Sequence, residues 1–295
     1  MKSFYRCAFL AAAVFATLAQ ATSAQAELIR AIATQGPGQF LISLDSAAPT
    51  VLLSAVPVST PDPILGIDYR PATGELYALT SNAGSYRLGT LALNGTYTGL
   101  AASAQAVTGF SHGFDFNPMI DRIRVVNDVN KNYVFNPMTG ALQLAATDLF
   151  YGAADPNFGA DPNVAGSAYS NNVVGTPATQ LYGIDTGLNI LVTQANNAGT
   201  LGTVGPLGVD ISALAGFDIS GATGTAYAIM TPAASSQSVL YSINLANGLA
   251  TNLGVVGGGD LITAMTVNII IPEPSTAALA GLVLMGFAGI RRRRA

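Results

Sequence analysis

The feature that most restricts how this chain can fold is a strand-turn-strand phrase that returns at nearly even intervals. Its fullest copy is LGIDYRPATGELYALT at residues 65–80; related copies are SHGFDFNPMIDRIRVV from Ser111 and LAGFDISGATGTAYAIM from Leu214. In the first copy, Gly66 to Tyr69 alternate small or apolar with polar positions, Pro71 and Gly74 punctuate a turn, and Leu76 to Leu79 run apolar again. Taking Gly66, Gly113, Gly166, Gly216 and Ala264 as equivalent points gives spacings of 47, 53, 50 and 48 residues. Five starts with a period near 50 define a repeat architecture. An isolated hairpin is marginal in water, so such units bury their faces only by packing on one another.

Each unit reads as four strands. In the first, residues 86–93 and 96–101 follow the opening hairpin and are joined by Asn94-Gly95, a strong hairpin turn. The second runs from Gly113 through 133–136 and turns at 136–140 into 141–145, and the third opens at Gly166 and turns near 197–199. The fourth opens at Gly216, passes through 226–230 and 240–245, and turns at Asn247-Gly248. The fifth copy has only its opening strand, 261–267, whereas the N-terminus offers three strands, 28–33, 40–44 and 51–56, with no opening one. Joining them completes a fifth blade. The expected body is therefore all-β: a β-propeller of five four-stranded blades closed by the N- and C-terminal strands. Residues 148–163, with Ala-Asp-Pro-Asn at Ala154 and again at Ala160, are its least regular connection.

The two ends carry a different message. Lys2 and Arg6 precede an apolar run at 7–18, and Ala24 and Ala26 flank a small-x-small cleavage site, so residues 1–26 read as a signal peptide handled by the general secretion machinery. The single cysteine, Cys7, would leave with it, so a body of residues 27–271 has no disulfide and rests on packing alone. That body carries six basic and fifteen acidic residues, which argues against a nucleic acid partner. Residues 272–295 hold Pro272, Glu273 and Pro274, an apolar run at 276–290, and Arg291, Arg292, Arg293 and Arg294. Fifteen helical residues reach roughly 22 Å, a marginal transmembrane helix against a hydrocarbon core of about 30 Å. The arginines hold the extreme C-terminus in the cytoplasm, which puts the body outside. The two prolines end the helix and leave an extended segment that a protease can bind.

The order Pro-Glu-Pro, apolar helix, arginine cluster resembles the PEP-CTERM sorting signal of Gram-negative bacteria. The resemblance implies an exosortase, a membrane enzyme of the transpeptidase type, cutting near residues 272–274. It also implies transient residence in the inner membrane, then the cell surface or extracellular space, in an exopolysaccharide or biofilm setting. The phrases LGIDYRPATGELYAL, GFDFNPMIDRIRVVND, LYGIDTGLNILVTQ and LYSINLANG resemble an exported bacterial family classed as a domain of unknown function and often found ahead of such tails. That family carries no established activity, so it implies architecture and export context only.

Three carboxylates, Asp68, Asp115 and Asp218, occupy one place in three repeats, and Ala168 stands there in the third unit. They could ring a central channel, but residues repeated in every unit usually serve the unit, so each is expected to accept hydrogen bonds that fix its own blade. For a glycosidase, whose acid and base stand about 5–9 Å apart, the better candidates are Asp121, Asp155, Asp161 and Asp210, outside the repeated position. The absence of Trp weakens that reading, although 11 Tyr could stack on sugars. Asp128, Asn130 and Asn132 match the start of a Ca²⁺ loop, but Tyr133 replaces the turn glycine and Thr139 the terminal Glu, so a β-turn is expected. His112 is the only histidine, which excludes a His-rich zinc site, and neither a G-x-S-x-G elbow nor a P-loop is present. No catalytic residue, metal or cofactor is assigned. The chain reads as an exported binding or structural protein with an exopolysaccharide or envelope ligand; the alternative is a secreted polysaccharide-acting enzyme on the same scaffold. An isolated acidic pair in a deep cleft would favour the enzyme, and hydrogen-bonded carboxylates spread through the ring would favour the module.

Overall fold

A computed structural model describes residues 26–259 and 261–268. The sorting tail, with its expected transmembrane helix, and most of the signal peptide lie outside the described residues; among those described, no helix is long and apolar enough to cross a membrane. The first blade is β4 (Ile64–Tyr69), β5 (Leu76–Asn82), β6 (Ser85–Leu91) and β7 (Tyr97–Ala106), and the second is β8 (His112–Asn117), β9 (Arg122–Asn127), β10 (Asn132–Phe135) and β11 (Leu142–Ala145). The third contains β13 (Val164–Tyr169), β14 (Leu181–Asp185), β15 (Ile190–Ala195) and β16 (Thr200–Pro206), and the fourth β17 (Ile211–Ile219), β18 (Ala226–Pro232), β19 (Val239–Ile243) and β20 (Ala250–Val255). The fifth is ordered β21 (Leu261–Val267), β1 (Leu28–Gln35), β2 (Gly38–Asp45), β3 (Leu52–Pro57). The last strand of the chain thus completes the first sheet, pairing antiparallel with β1 from Ile29 opposite Val267 to Thr34 opposite Leu261.

The innermost strands make the ring: β4 packs on β8, β8 on β13, β13 on β17, β17 on β21 and β21 back on β4. Burial falls outward. Every residue of β8 and β13 is buried, whereas β3 alternates and β11 is mostly exposed, as a strand with one solvated face should be. One apolar cluster fills each of the five gaps between neighbouring blades. The gap between the first and second blades is aromatic, with Tyr77 edge-on to Phe116 at 5.2 Å and Tyr86 edge-on to Phe135 at 5.9 Å. Each fully buried side chain of this kind contributes about 1.5–3 kcal/mol, so five modest cores replace one large one.

The glycine that opens each repeat is required by close approach. A Cβ on Gly66 would collide with Phe114 of the next blade, and one on Gly216 would stand 2.7 Å from the Met265 side chain. Gly113 and Gly166 meet Ser167 and Phe217 in the same way. In the closing strand Ala264 fills this place and packs in the cluster that holds Ile67.

The expectation of four strands per blade fails in the third. Within the 148–163 connection, β12 (Phe150–Tyr151) adds a fifth strand, parallel to β16. It forms because Leu149 and Tyr151 are buried in the gap between the second and third blades, while Phe150 points outward, 44% exposed. The Tyr151 hydroxyl then donates to Asp185 Oδ2 at 2.5 Å.

Gly66→Ala should lower stability by about 1–3 kcal/mol, the usual cost of overpacking a tight contact. Urea unfolding of the two proteins, with unchanged slope and a lower midpoint, is the expected result.

Candidate functional site on the ring axis

Because the five inner strands run the same way along the axis, their equivalent residues form layers. The first layer is the mouth, where the N-terminal ends of β4, β8 and β21 border an open groove of about 350 Å³. Pro37, Pro61, Pro63, Phe110, His112 and Leu214 line it, and Phe110 is 71% exposed. Asp128 Oδ1 holds the Phe110 backbone by accepting its amide at 2.8 Å. His112 Nε2 lies 2.9 Å from the Tyr86 hydroxyl and 3.2 Å from the Thr108 carbonyl, and its Nδ1 has no partner. Burial lowers the His112 pKa to about 4, so the ring is neutral in the folded protein at pH 7.

Below the mouth comes the glycine layer. It leaves a space of about 10 Å³ on the axis, no more than about one water needs. The axis is therefore plugged there.

The third layer holds the repeated carboxylates. Asp68, Asp115 and Asp218 are 1%, 1% and 2% exposed, and one oxygen from each lies within 4.8 Å of the others. Their donors come largely from neighbouring blades. The Phe116 amide of the second blade donates to Asp68 Oδ2 at 2.8 Å, and the Val267 amide of the closing blade donates to Asp218 Oδ2 at 2.6 Å. Asp218 also accepts from its own strand, through the Ile219 amide at 2.6 Å, and the Tyr69 amide beside Asp68 favours the charged form of that carboxylate. Asp218 thus makes the own-blade bond expected of the repeated carboxylates, and Asp68 and Asp218 in addition tie one blade to the next. The Tyr169 amide occupies the equivalent place beside Asp115 and favours its charged form weakly, yet neither Asp115 oxygen reaches hydrogen-bond geometry.

Two further residues complete the layer. Ala168 leaves the third blade without a carboxylate, and Thr266 takes the Asp place in the closing blade. The Thr266 hydroxyl lies 3.0 Å from Asp68 Oδ1 and 2.9 Å from Asp218 Oδ2, bridging blades that are far apart in sequence. Thr266 was not singled out from the sequence, although it stands two residues past Ala264 just as Asp68 stands two past Gly66. Burial raises Asp68 well above the usual carboxylate range, and the Asp218 charge adds to it. Burial does the same for Asp115, followed by the charges of Asp68 and Asp218. Asp218 is pushed up by burial to about 6, against the pull of the Val267 amide and the Thr266 hydroxyl.

The other acidic candidates are dispersed and engaged. Asp121 is gripped by the Arg70 fork, at 2.9 Å to Nε and 2.5 Å to Nη2, and that hydrogen-bonded pairing holds its pKa down. Asp155 accepts from the amide and hydroxyl of Thr203, Asp161 from Asn130 and Asp210 from Asn189. The Ca²⁺-loop match does not converge either. Asn130 takes a left-handed turn conformation at φ 66°, and Asn132 turns inward to accept from Arg124 Nη1 at 2.6 Å.

These layers define a five-bladed β-propeller whose axis is sealed above a buried carboxylate triad. Residues 40–266 match the family described as Domain of unknown function (DUF4394), and the chain belongs to that family. Residues 271–294 match the PEP-CTERM protein-sorting motif, which makes this an exported protein, transiently anchored in the membrane and processed by an exosortase. No curated protein matches the chain. Among solved structures, TolB from Acinetobacter baumannii is similar at 13% identity and a TM-score of 0.45, over 82% of this chain and 67% of that one. A chain of a nidogen/laminin complex is similar at 10% identity and 0.47, over 83% and 98%. A putative 6-phosphogluconolactonase from Bacteroides uniformis is similar at 15% and 0.42, over 78% and 82%.

His112 titrates near 6.5 when unfolded and near 4 when folded, so its contribution is present above pH 6.5 and is lost as pH falls toward 4. Relative to His112→Phe, which keeps the contact with Tyr86, the unsubstituted protein should lose about 3 kcal/mol of stability between pH 6.5 and 4. Denaturant unfolding of both proteins across that range reads the difference directly.

Proposed function

We propose that the propeller is a binding and structural module of the cell surface or extracellular matrix, delivered there by exosortase processing after passage through the periplasm. Its ligand is exopolysaccharide, taken by the groove at the mouth. The observation that carries this reading is the pairing of an open groove of about 350 Å³, bearing the exposed ring of Phe110, with an axis plugged beneath it. An aromatic face in a shallow groove suits the stacking of a sugar ring, and its polar rim includes Thr34, Ser111 and Thr263. The chain is on this reading not an enzyme. A glycosidase needs two carboxylates facing a substrate, and the triad is closed off while Asp121, Asp155, Asp161 and Asp210 are each held by a neighbour.

Two experiments test the halves separately. Replacing Pro272 and Glu273 with Ala in an exosortase-bearing host should leave the protein at its unprocessed mass in the membrane fraction; unchanged mass and localisation would contradict sorting through this tail. For the body, an array of bacterial exopolysaccharides should retain the processed protein without releasing sugars, and Phe110→Ala should weaken retention about tenfold, the loss of roughly 1.4 kcal/mol of stacking. Release of reducing sugars would favour the enzyme, and binding indifferent to Phe110 would remove the groove from the account.

A further inference from the structure

The axial layer has more acceptors than donors, and the shortage can be counted. The Thr266 hydroxyl has one hydrogen, yet it sits within 3.0 Å of Asp68 Oδ1 and 2.9 Å of Asp218 Oδ2. It donates to one of them, and the other oxygen faces a lone pair. Asp115, 1% exposed and turned into the same cluster, has no donor on either oxygen. No basic side chain makes up the difference: among the described residues the ion pairs are Arg70 with Asp121 and Lys131 with Asp148, neither in this layer. A buried carboxylate without a partner is costly, and three together more so.

We propose that Asp68, Asp115 and Asp218 hold a divalent cation of the size and hardness of Ca²⁺ on the ring axis. Oxygen is the only ligand type offered, which selects a hard ion over zinc or copper. Oxygens that all lie within 4.8 Å of one another can surround a single ion with bonds of about 2.4 Å, and a closed layer suits Ca²⁺ better than Mg²⁺, which keeps several of its waters. One oxygen from each Asp and the Thr266 hydroxyl supply four ligands toward the six to eight oxygens that Ca²⁺ takes, the remainder coming from second carboxylate oxygens or water. Asp115, with no donor in hydrogen-bond geometry on either oxygen, is the anchoring ligand, and Asp68 and Asp218 reach the ion while keeping their amide donors. The ion would then cross-link the first, second, fourth and closing blades at their common centre. This site is independent of the ligand groove, from which the glycine layer separates it.

The test uses the exported, processed protein. Elemental analysis after gel filtration in metal-free buffer should find one Ca²⁺ per chain. Unfolding and refolding in EGTA should remove it and lower the melting temperature by about 10 °C, and Ca²⁺ alone should restore both. Asp115→Asn should weaken Ca²⁺ binding at least 100-fold and make the melting temperature insensitive to EGTA. A wild-type protein that returns from EGTA with an unchanged melting temperature and takes up no Ca²⁺ at millimolar concentration overturns the proposal, and the layer then holds protons instead. The wild-type measurements decide the matter even if Asp115→Asn does not fold.

Discussion

Ring closure is the constraint on which everything else depends. Without β21, the inner strand of the closing blade is missing, β1 presents an unpaired edge toward the axis, and the clusters on both sides of that blade lose Ile262, Ala264, Met265 and Val267. The same strand carries Thr266 and the Val267 amide into the carboxylate layer. One segment of seven residues therefore completes a sheet, seals two apolar gaps and satisfies two buried acids. Because the strand that closes the ring lies 233 positions from the strand it pairs with, counting Leu28 to Leu261, these contacts form only when the whole chain between them is folded.

That dependence suits a protein exported without a disulfide. Its cysteine lies at position 7, ahead of the folded ring. Small exported domains commonly use cross-links to limit the unfolded state. Here the tie is made by side chains that reach from blade to blade: Asp68 to Phe116, Asp218 to Val267, Ser220 Oγ to Glu27 at 2.7 Å. The last of these joins the fourth blade to the residue just before the first strand, on the far side of the ring from the mouth. Ties of this kind reach the mouth as well: Ser111 Oγ of the second blade donates to the Ala213 carbonyl of the fourth at 2.5 Å, and Gln39 of the closing blade donates to the Asp62 carbonyl and accepts from the Ile64 amide of the first.

The blade count was legible because the opening glycines are demanded by geometry, and geometry repeats when blades do. The three N-terminal strands were legible for a related reason: Gly36-Pro37 and Pro49 mark turns, and the turns bound the strands to within about two residues of where they lie. What the reading along the chain missed was what happens across blades. Asp68 looks like a local residue of LGIDY until Phe116, 48 positions away, supplies its donor. Thr266 escaped because its neighbours Ala264 and Met265 replace the Gly-x pattern, although the interval was intact. β12 escaped because two residues have no periodicity to read; its existence is decided by Leu149 and Tyr151 filling a gap between blades. The groove was not legible at all, since its wall is assembled from five separate segments.

The most direct test of closure is native-state hydrogen exchange on the processed protein, following the amides of Phe116, Met265 and Val267. If the ring is one cooperative unit locked at its axis, these amides exchange only through global unfolding, and their opening free energy equals that from denaturant unfolding. Exchange of the β21 amides at a free energy several kcal/mol lower, with the other inner strands still protected, would mean that the closing strand detaches on its own and would contradict the account.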